Sequence, residues 1–237
     1  MSPEIRAALV TGGTRGIGRA IARRLAGDGF GVAISGQTED SARRGVASLA
    51  EEGIRVRGHG ADATLEEDQK NLIAWAVAEL GRLDILVNNA GIGDFDRIDR
   101  LSPSRFRRVV ETNLFGPYYA MHYAAPHMKK SGGFIVNIGS LASINPIPGG
   151  AAYNASKFGL LGLSDAAMLD LRHEGIRIAV VLPGSVATEF DDSHGGREDD
   201  WMLSADDVAL AVSDLVRFPD RAIPSRIELR PSRPPRK

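Results

Sequence analysis

A sustained alternation of short, mostly apolar runs with segments of helical spacing is the feature that most constrains this chain. Ala7–Val10 leads into a glycine-rich turn, and Ile17–Ala26 follows with Ile17, Ala20, Ile21 and Leu25 along one helical face. Gly27 and Gly29 stop that helix. Val32–Ser35, Val56–Gly60, Ile85–Val87, Phe134–Ile138 and Ile178–Val181 read as further strands, and Arg226–Leu229 as the last. Helices are expected over Ser41–Glu52, up to Leu80 behind a Thr64/Glu67 capping box, over Ala152–His173, and from Ser204/Asp207 to near Phe218. Another starts at Ser102-Pro103 and runs toward Lys130, where Pro117 and Pro126 should disturb it. Strands apolar on both faces need helices on both sides of a parallel sheet. Right-handed crossovers make such a sheet doubly wound. The expected fold is α/β, a doubly wound, mostly parallel seven-stranded sheet in a single domain.

Composition narrows the function classes. A net charge of -1 gives no bulk electrostatic case for nucleic acid or a membrane surface. With no cysteine, disulfides, thiolate metal sites and cysteine nucleophiles are excluded together. His59, His122, His127, His173 and His194 form no tight metal-ligand spacing with a carboxylate, so no metal site is expected. Met1 to Arg6 lacks the basic and apolar regions of a signal peptide, and no apolar run approaches the ~18 residues of a membrane span. The expected location is cytoplasmic. Arg230–Lys237, rich in Pro and Arg, reads as a frayed terminus, with a binding arm as the alternative.

Thr11-Gly12-Gly13-Thr14-Arg15-Gly16-Ile17-Gly18 joins the first strand to the first helix. Glycines permit positive φ and close backbone approach there, and the helix N-terminus presents N–H groups to a pyrophosphate. That context, strand before and helix after, separates a dinucleotide-binding turn from a structural one. An NAD site usually carries an acid at the end of the second strand, bonded to the ribose 2′-hydroxyl. Here Ile34-Ser35-Gly36-Gln37-Thr38 has none before Glu39, while Arg15 offers a cation that could pair with a 2′-phosphate. NADP(H) is the expected cofactor, with NAD(H) as the alternative.

Tyr153-Asn154-Ala155-Ser156-Lys157 sets a phenol and an ammonium one helical turn apart on one face. A free phenol titrates near ~10, and a cation beside it favours the phenolate. Ser140 closes the run Ile135-Val136-Asn137-Ile138-Gly139-Ser140, at the carboxyl end of a strand, where ligands sit in open α/β sheets. From there it can donate a hydrogen bond to a substrate carbonyl oxygen.

These motifs together resemble the short-chain dehydrogenase/reductase family of the single-domain, Rossmann-fold type. The resemblance rests on Thr11-Gly12-x-x-x-Gly16-x-Gly18, Asp62, Asn88-Asn89-Ala90-Gly91, Asn113, Ser140, Tyr153-x-x-x-Lys157 and Pro183-Gly184, in order and spacing. It implies a carbonyl/alcohol oxidoreductase. Tyr153 would protonate the carbonyl oxygen, Ser140 hold it, Lys157 lower the Tyr153 pKa and bond the nicotinamide ribose, and Asn113 hold a relay water. The cofactor would lie along Gly12, Thr14, Arg15, Gly16, Ile17, Gly18 and Gln37. Asp62 would meet the adenine, Asn88 the adenosine-side ribose, and Pro183, Gly184, Val186 and Thr188 the nicotinamide, with Ala63, Ala90 and Gly91 also binding the cofactor. Family members that serve only as redox-sensing binding modules usually lack the tyrosine or the lysine; both are present here. The resemblance also implies a homotetramer or dimer, paired through the long helix from Pro103 and the helix Ala152–His173, whose apolar residues run around the circumference.

The substrate is constrained less. Thr188 to Ser204 is short and polar, with Phe190 and Trp201 as its chief apolar groups, which suggests an open cleft. The body resembles the 3-oxoacyl-[acyl-carrier-protein] reductases, and Lys129, Lys130 and Arg172 would suit an acidic carrier protein as partner. Phe218–Pro231 instead resembles the NADP-dependent 3-hydroxy acid dehydrogenases. The expected substrate is therefore a 3-oxo acid derivative or small ketone, with acyl carrier protein as the alternative partner.

Overall fold

The structure is a computed structural model that describes residues 6–129, 132–188 and 200–235. Seven strands form one sheet: β1 (Ala7–Val10), β2 (Gly31–Gly36), β3 (Arg57–Gly60), β4 (Ile85–Asn88), β5 (Gly133–Ile138), β6 (Ile176–Pro183) and β7 (Arg226–Leu229). Their order is β3-β2-β1-β4-β5-β6-β7, and every neighbouring pair is parallel. The sheet is thus wholly parallel. The order reverses between β1 and β4, so the carboxyl ends of these two strands flank the crevice where such sheets take ligands.

Period-two alternation sorts the strand side chains to opposite faces. Ala8, Val10, Ile85, Val87, Val136 and Val181 pack on α1 (Gly16–Gly27) and α7 (Ala205–Arg217). Leu9, Leu86, Ile135 and Ile178 pack on α3 (Glu66–Leu80), α5 (Gly116–Met128) and α6 (Ala151–Leu171). The helix α2 (Glu39–Glu51) follows β2 and lies against β3.

One local expectation is corrected and two are refined. Thr64 makes no capping box with Glu67: its N–H and hydroxyl both donate to Asp62 Oδ1 at 2.8 Å, and α3 starts behind Leu65. The nearer carboxylate captures the hydroxyl that would have capped the helix. The long helix is interrupted just before Pro117, as expected, while Pro126 sits inside α5. Ser102 caps α4 (Pro103–Val110) through Arg105 N–H, a π-helical turn spans Glu111–Phe115, and α5 ends at Met128. Pro117 has no N–H to return to the Asn113 carbonyl, so the ladder cannot keep its normal register there. Lys130 lies outside the described residues. β5 ends at Ile138, as its expected bounds have it, and Ser140, two residues beyond, caps a 3₁₀ turn, Leu141–Ser143, with Ser143 reciprocating. By contrast, Ser204 and Asp207 form the expected capping box at α7. Among the described residues no helix is long and apolar enough to cross a membrane.

Candidate active site

Two polar knots build the phosphate turn. Thr11 Oγ1 accepts from the N–H groups of Asn89 at 3.0 Å and Ala90 at 3.1 Å. Asn89 Nδ2 donates back to the carbonyls of Thr11 and Gly12, each at 3.0 Å. This stitches the turn after β1 to the segment after β4. Gly12 has φ +61, and a Cβ there would stand 2.9 Å from Ala90 Cα. At Gly18 a Cβ would lie 2.3 Å from Asn89 Nδ2 and Gly12 O, so only glycine lets α1 come this close.

The first turn of α1 fits a diphosphate. Arg15 stands at the cap position without capping the helix with its side chain, and the turn carries no acid. In α2, α3 and α7 the first turn is acidic. Gly16 has φ +52, and the nearest atom to a Cβ there would be Thr188 Cγ2 at 3.6 Å, which brings the two ends of the expected cofactor path together. Ile17 is partly buried against the core, and Thr14 packs on Gly45 of α2. Gln37 is exposed just past β2. Glu39, the first acid after that strand, has its Oε2 on the N–H of Gly60 at 2.8 Å.

The remaining cofactor-side residues take unequal positions. Asp62 Oδ1 is engaged by Thr64, and Ala63 packs on Gly116. The Asn88 side chain is 2% exposed; its Nδ2 donates to Asn137 Oδ1 at 2.8 Å, its Oδ1 has no hydrogen-bond partner among the described residues, and Asn137 passes the chain on to Ser164 at 2.8 Å. Ala90 abuts Gly12, and Gly91 lies beside Asn113 Oδ1. After β6, Gly184 N donates to Leu229 O, with Leu141 and Pro231 packed on it. Val186 bridges Leu203, and Ala187 N donates to Leu203 O at 2.8 Å. The polar residues Glu189–Asp199, with Phe190, lie outside the described residues.

Tyr153 and Lys157 stand one turn apart on α6, as their spacing requires, 8% and 5% exposed. Lys157 Nζ donates to the carbonyl of Ile138, at the end of β5, at 2.8 Å. The ammonium lies 5.8 Å from the centre of the Tyr153 ring. Burial alone pushes the Lys157 amine down to about 8. Asn154, between them, ties the neighbouring loop to α6: Nδ2 donates to Ala142 O at 2.7 Å and Asn145 O at 2.9 Å, and Oδ1 accepts from Ile147 N. The turn capped by Ser140 is therefore anchored to the helix that carries Tyr153. A hollow of about 380 Å³ lies outside this arrangement, between Asp96–Asp99 and Pro146–Ala151; neither Ser140 nor Tyr153 lines it.

Asn113 is 1% exposed, in the π-helical turn. Its Oδ1 accepts from Ile92 N at 2.8 Å, while Nδ2 donates to Ile92 O at 2.9 Å and Ser156 Oγ at 3.1 Å. Ser156 Oγ donates to Tyr153 O at 2.8 Å. Both amide hydrogens are engaged, so the side chain is a clamp between the segment after β4 and α6. Its main-chain carbonyl cannot take the ordinary hydrogen bond from four residues on, because that residue is Pro117. Asn154, Ser156 and Asn89 lie within or beside the motifs read from the sequence, but their tasks depend on contacts with distant segments.

Comparison with known proteins places this geometry. The sequence matches the short chain dehydrogenase family over residues 6–199. The chain belongs to the short-chain dehydrogenase/reductase family. A human relative, dehydrogenase/reductase SDR family member 2, mitochondrial, is 35% identical over 83% of this chain and 70% of its own length. The 3-oxoacyl-[acyl-carrier-protein] reductase FabG of Staphylococcus aureus is 33% identical over 84% of this chain and 82% of its own. A metagenomic short-chain oxidoreductase crystallised with NADP superposes with a TM-score of 0.83 at 34% identity, covering 96% of this chain and 97% of that one. This short-chain dehydrogenase/reductase is thus an oxidoreductase acting on CH–OH groups, in a family that uses NAD(P) and small substrates.

Lys157 gives a test of the site's electrostatics. Its folded value, about 8, lies below the ~10.4 of an unfolded lysine. Between the two, the unfolded chain holds the extra proton, so stability contributed through this group rises with pH. In a Tyr153→Phe background, which removes the phenol's titration, urea denaturation at pH 7 and pH 10 should show the lysine form gaining on Lys157→Met by up to about 3 kcal/mol. An equal pH response in both forms would show that the ammonium is not desolvated.

Proposed function

We propose that the enzyme interconverts a ketone, either a 3-oxo acid derivative or another small carbonyl compound, and its secondary alcohol with NADP(H). The observation that carries this reading is the buried Lys157 ammonium beside the Tyr153 ring, at the carboxyl edge of the sheet. Bound NADP(H) supplies or takes the hydride. The chain's residues supply position and a proton. Tyr153 Oη delivers its proton to the carbonyl oxygen during reduction, and Ser140 Oγ donates to the same oxygen as charge develops on it. Lys157 places positive charge beside the phenol, and its bond to Ile138 O fixes that charge. Asn113 and Ser156 hold α6 and the segment after β4 in register.

Support for NADP(H) over NAD(H) is electrostatic. Glu39 directs its Oε2 to the Gly60 N–H, and Gln37, not an acid, stands just past β2. The acid-free first turn of α1 and Arg15 suit a third negative group. The relative crystallised with NADP agrees with this choice.

The carrier-protein reading draws on the Staphylococcus aureus relative. Against it, Lys129 lies 3.5 Å from Glu174 of its own chain, which lowers its value as a docking cation. We also infer a homotetramer or dimer. Phe115 at the end of the π-helical turn, Tyr118 on α5, and Phe158 and Leu169 on α6 are large apolar groups left exposed.

Four measurements check these proposals. Tyr153→Phe should keep NADPH binding, read by fluorescence titration, and lose at least tenfold in kcat, about 1.4 kcal/mol of barrier; a smaller loss counts against Tyr153 as the proton donor. Steady-state kcat/KM should favour NADPH, and Arg15→Ala should weaken NADPH more than NADH; a wild-type preference for NADH reverses the cofactor assignment. Acetoacetyl esters should be reduced at rates nearly indifferent to salt, whereas docking of an acidic carrier would weaken steeply as salt rises. Turnover of carrier-bound substrate alone, abolished by charge reversal at Lys129 and Arg172, would replace the small-ketone reading. Light scattering at micromolar concentration should give a mass two or four times that of the chain, and a monomer would refute the assembly.

A further inference from the structure

The segment between β4 and α4 carries a feature that the proton-transfer scheme does not use. The ring of Phe95 lies 5.4 Å from the ring of Tyr153, centre to centre, inclined by 55°. Tyr153 is buried, yet Phe95 remains 37% exposed. One part of the phenylalanine therefore contacts the tyrosine, and another part is open to solvent beside it.

This ring is held in place by more than its own packing. Arg105 grips both neighbours of Phe95. Its Nε donates to Asp94 Oδ2 at 2.9 Å, its Nη2 to Asp94 Oδ1, and its Nη1 to Asp96 Oδ2 at 2.9 Å. The guanidinium lowers the Asp96 carboxyl below its usual range. Asp96 N donates to Gly149 O at 2.9 Å, and Asp96 bridges Gly150, the residue before α6. Upstream, Asn113 clamps both main-chain groups of Ile92. The backbone on each side of Phe95 is thus tied, on one side to Arg105 and on the other to the turn that begins the helix of Tyr153. A ring fixed in this way loses little freedom when a ligand covers it.

We propose that Phe95 is a specificity-determining residue of the carbonyl site, selecting ketones that carry a flat, aromatic substituent on the carbonyl carbon over those that carry a methyl group. The inference rests on the ketone-reductase reading. The 5.4 Å between ring centres sets the partly open Phe95 ring beside the tyrosine that would hold the carbonyl oxygen. Aromatic pairs favour offset or inclined contacts at 4.5–7 Å between centres. A methyl group reaches little of that surface. Arg105 acts through Asp94 and Asp96 and is a positioning residue for the ring.

The test compares two 3-oxo esters that differ only at the carbonyl carbon: ethyl 3-oxo-3-phenylpropanoate and ethyl 3-oxobutanoate, reduced with NADPH. Phe95→Ala should lower kcat/KM for the phenyl ester roughly tenfold, chiefly through KM, and for the methyl ester by no more than about threefold. Phe95→Leu, which keeps an apolar side chain in the loop, should give a smaller shift in the same direction. Arg105→Ala should move the phenyl-to-methyl ratio the same way with Phe95 intact, and Arg105→Lys less. An unchanged ratio in the Phe95 variants, or equal losses on both esters, would overturn the proposal and leave Phe95 as a prop for Tyr153. If the wild-type enzyme reduces neither these esters nor other ketones with NADPH or NADH, the ketone-reductase reading itself fails, and this proposal with it.

Discussion

Lys157 holds a charge almost wholly removed from water, and much of the molecule is arranged around that cost. Its hydrogen bond to the Ile138 carbonyl joins α6 to the end of β5, so the helix cannot slide along the sheet without stranding an ammonium. Burial without a paired carboxylate would ordinarily favour the neutral amine, and that is the direction in which its titration moves. A lysine in such a position is expensive for stability and useful for chemistry, because a charge kept from solvent acts strongly on the phenol next to it.

Around this pair the loops are tied by side-chain amides. Asn89 holds the phosphate turn, Asn113 holds the segment after β4, and Asn154 holds the turn capped by Ser140. Each amide spans two segments that meet only at the carboxyl edge of the sheet. An amide suits this task because it donates and accepts at once without the desolvation cost of a charge. The π-helical turn follows the same logic, since it sets Asn113 between Ile92 and Ser156 where an unbroken helix would carry it in another register. Asn88 and Asn137 extend the network into the sheet interior, where Asn137 also reaches Ser164 of α6.

The strap that carries Phe95 differs in kind. It is held by charge, through a half-exposed arginine between two aspartates. Solvent weakens each such pair, but one guanidinium gripping two carboxylates on either side of one residue restricts that residue's backbone more than either pair would alone.

Strand composition alone was enough to determine the parallel architecture. Runs such as Ile85–Val87 are apolar on both faces and demand helices on both sides, and all seven strands stand where the alternation put them, with ends displaced by one or two residues. Tyr153 and Lys157 were legible for a similar reason: a spacing of four on a helix fixes relative position without help from the rest of the chain. Ser140 and the glycine turn were legible as motifs joined to a strand end. Contacts between distant segments were not. The side chain of Asn88 faces Asn137, Thr64 turns to Asp62 and not to its helix, Glu39 turns to Gly60, and Phe95 meets Tyr153. Each of these depends on which groups the fold brings within about 3–6 Å, and hydrogen bonds and ring contacts are short-ranged and directional. Periodicity in a sequence reports the direction a residue faces along its own element; only the packed sheet and helices decide what it finds there.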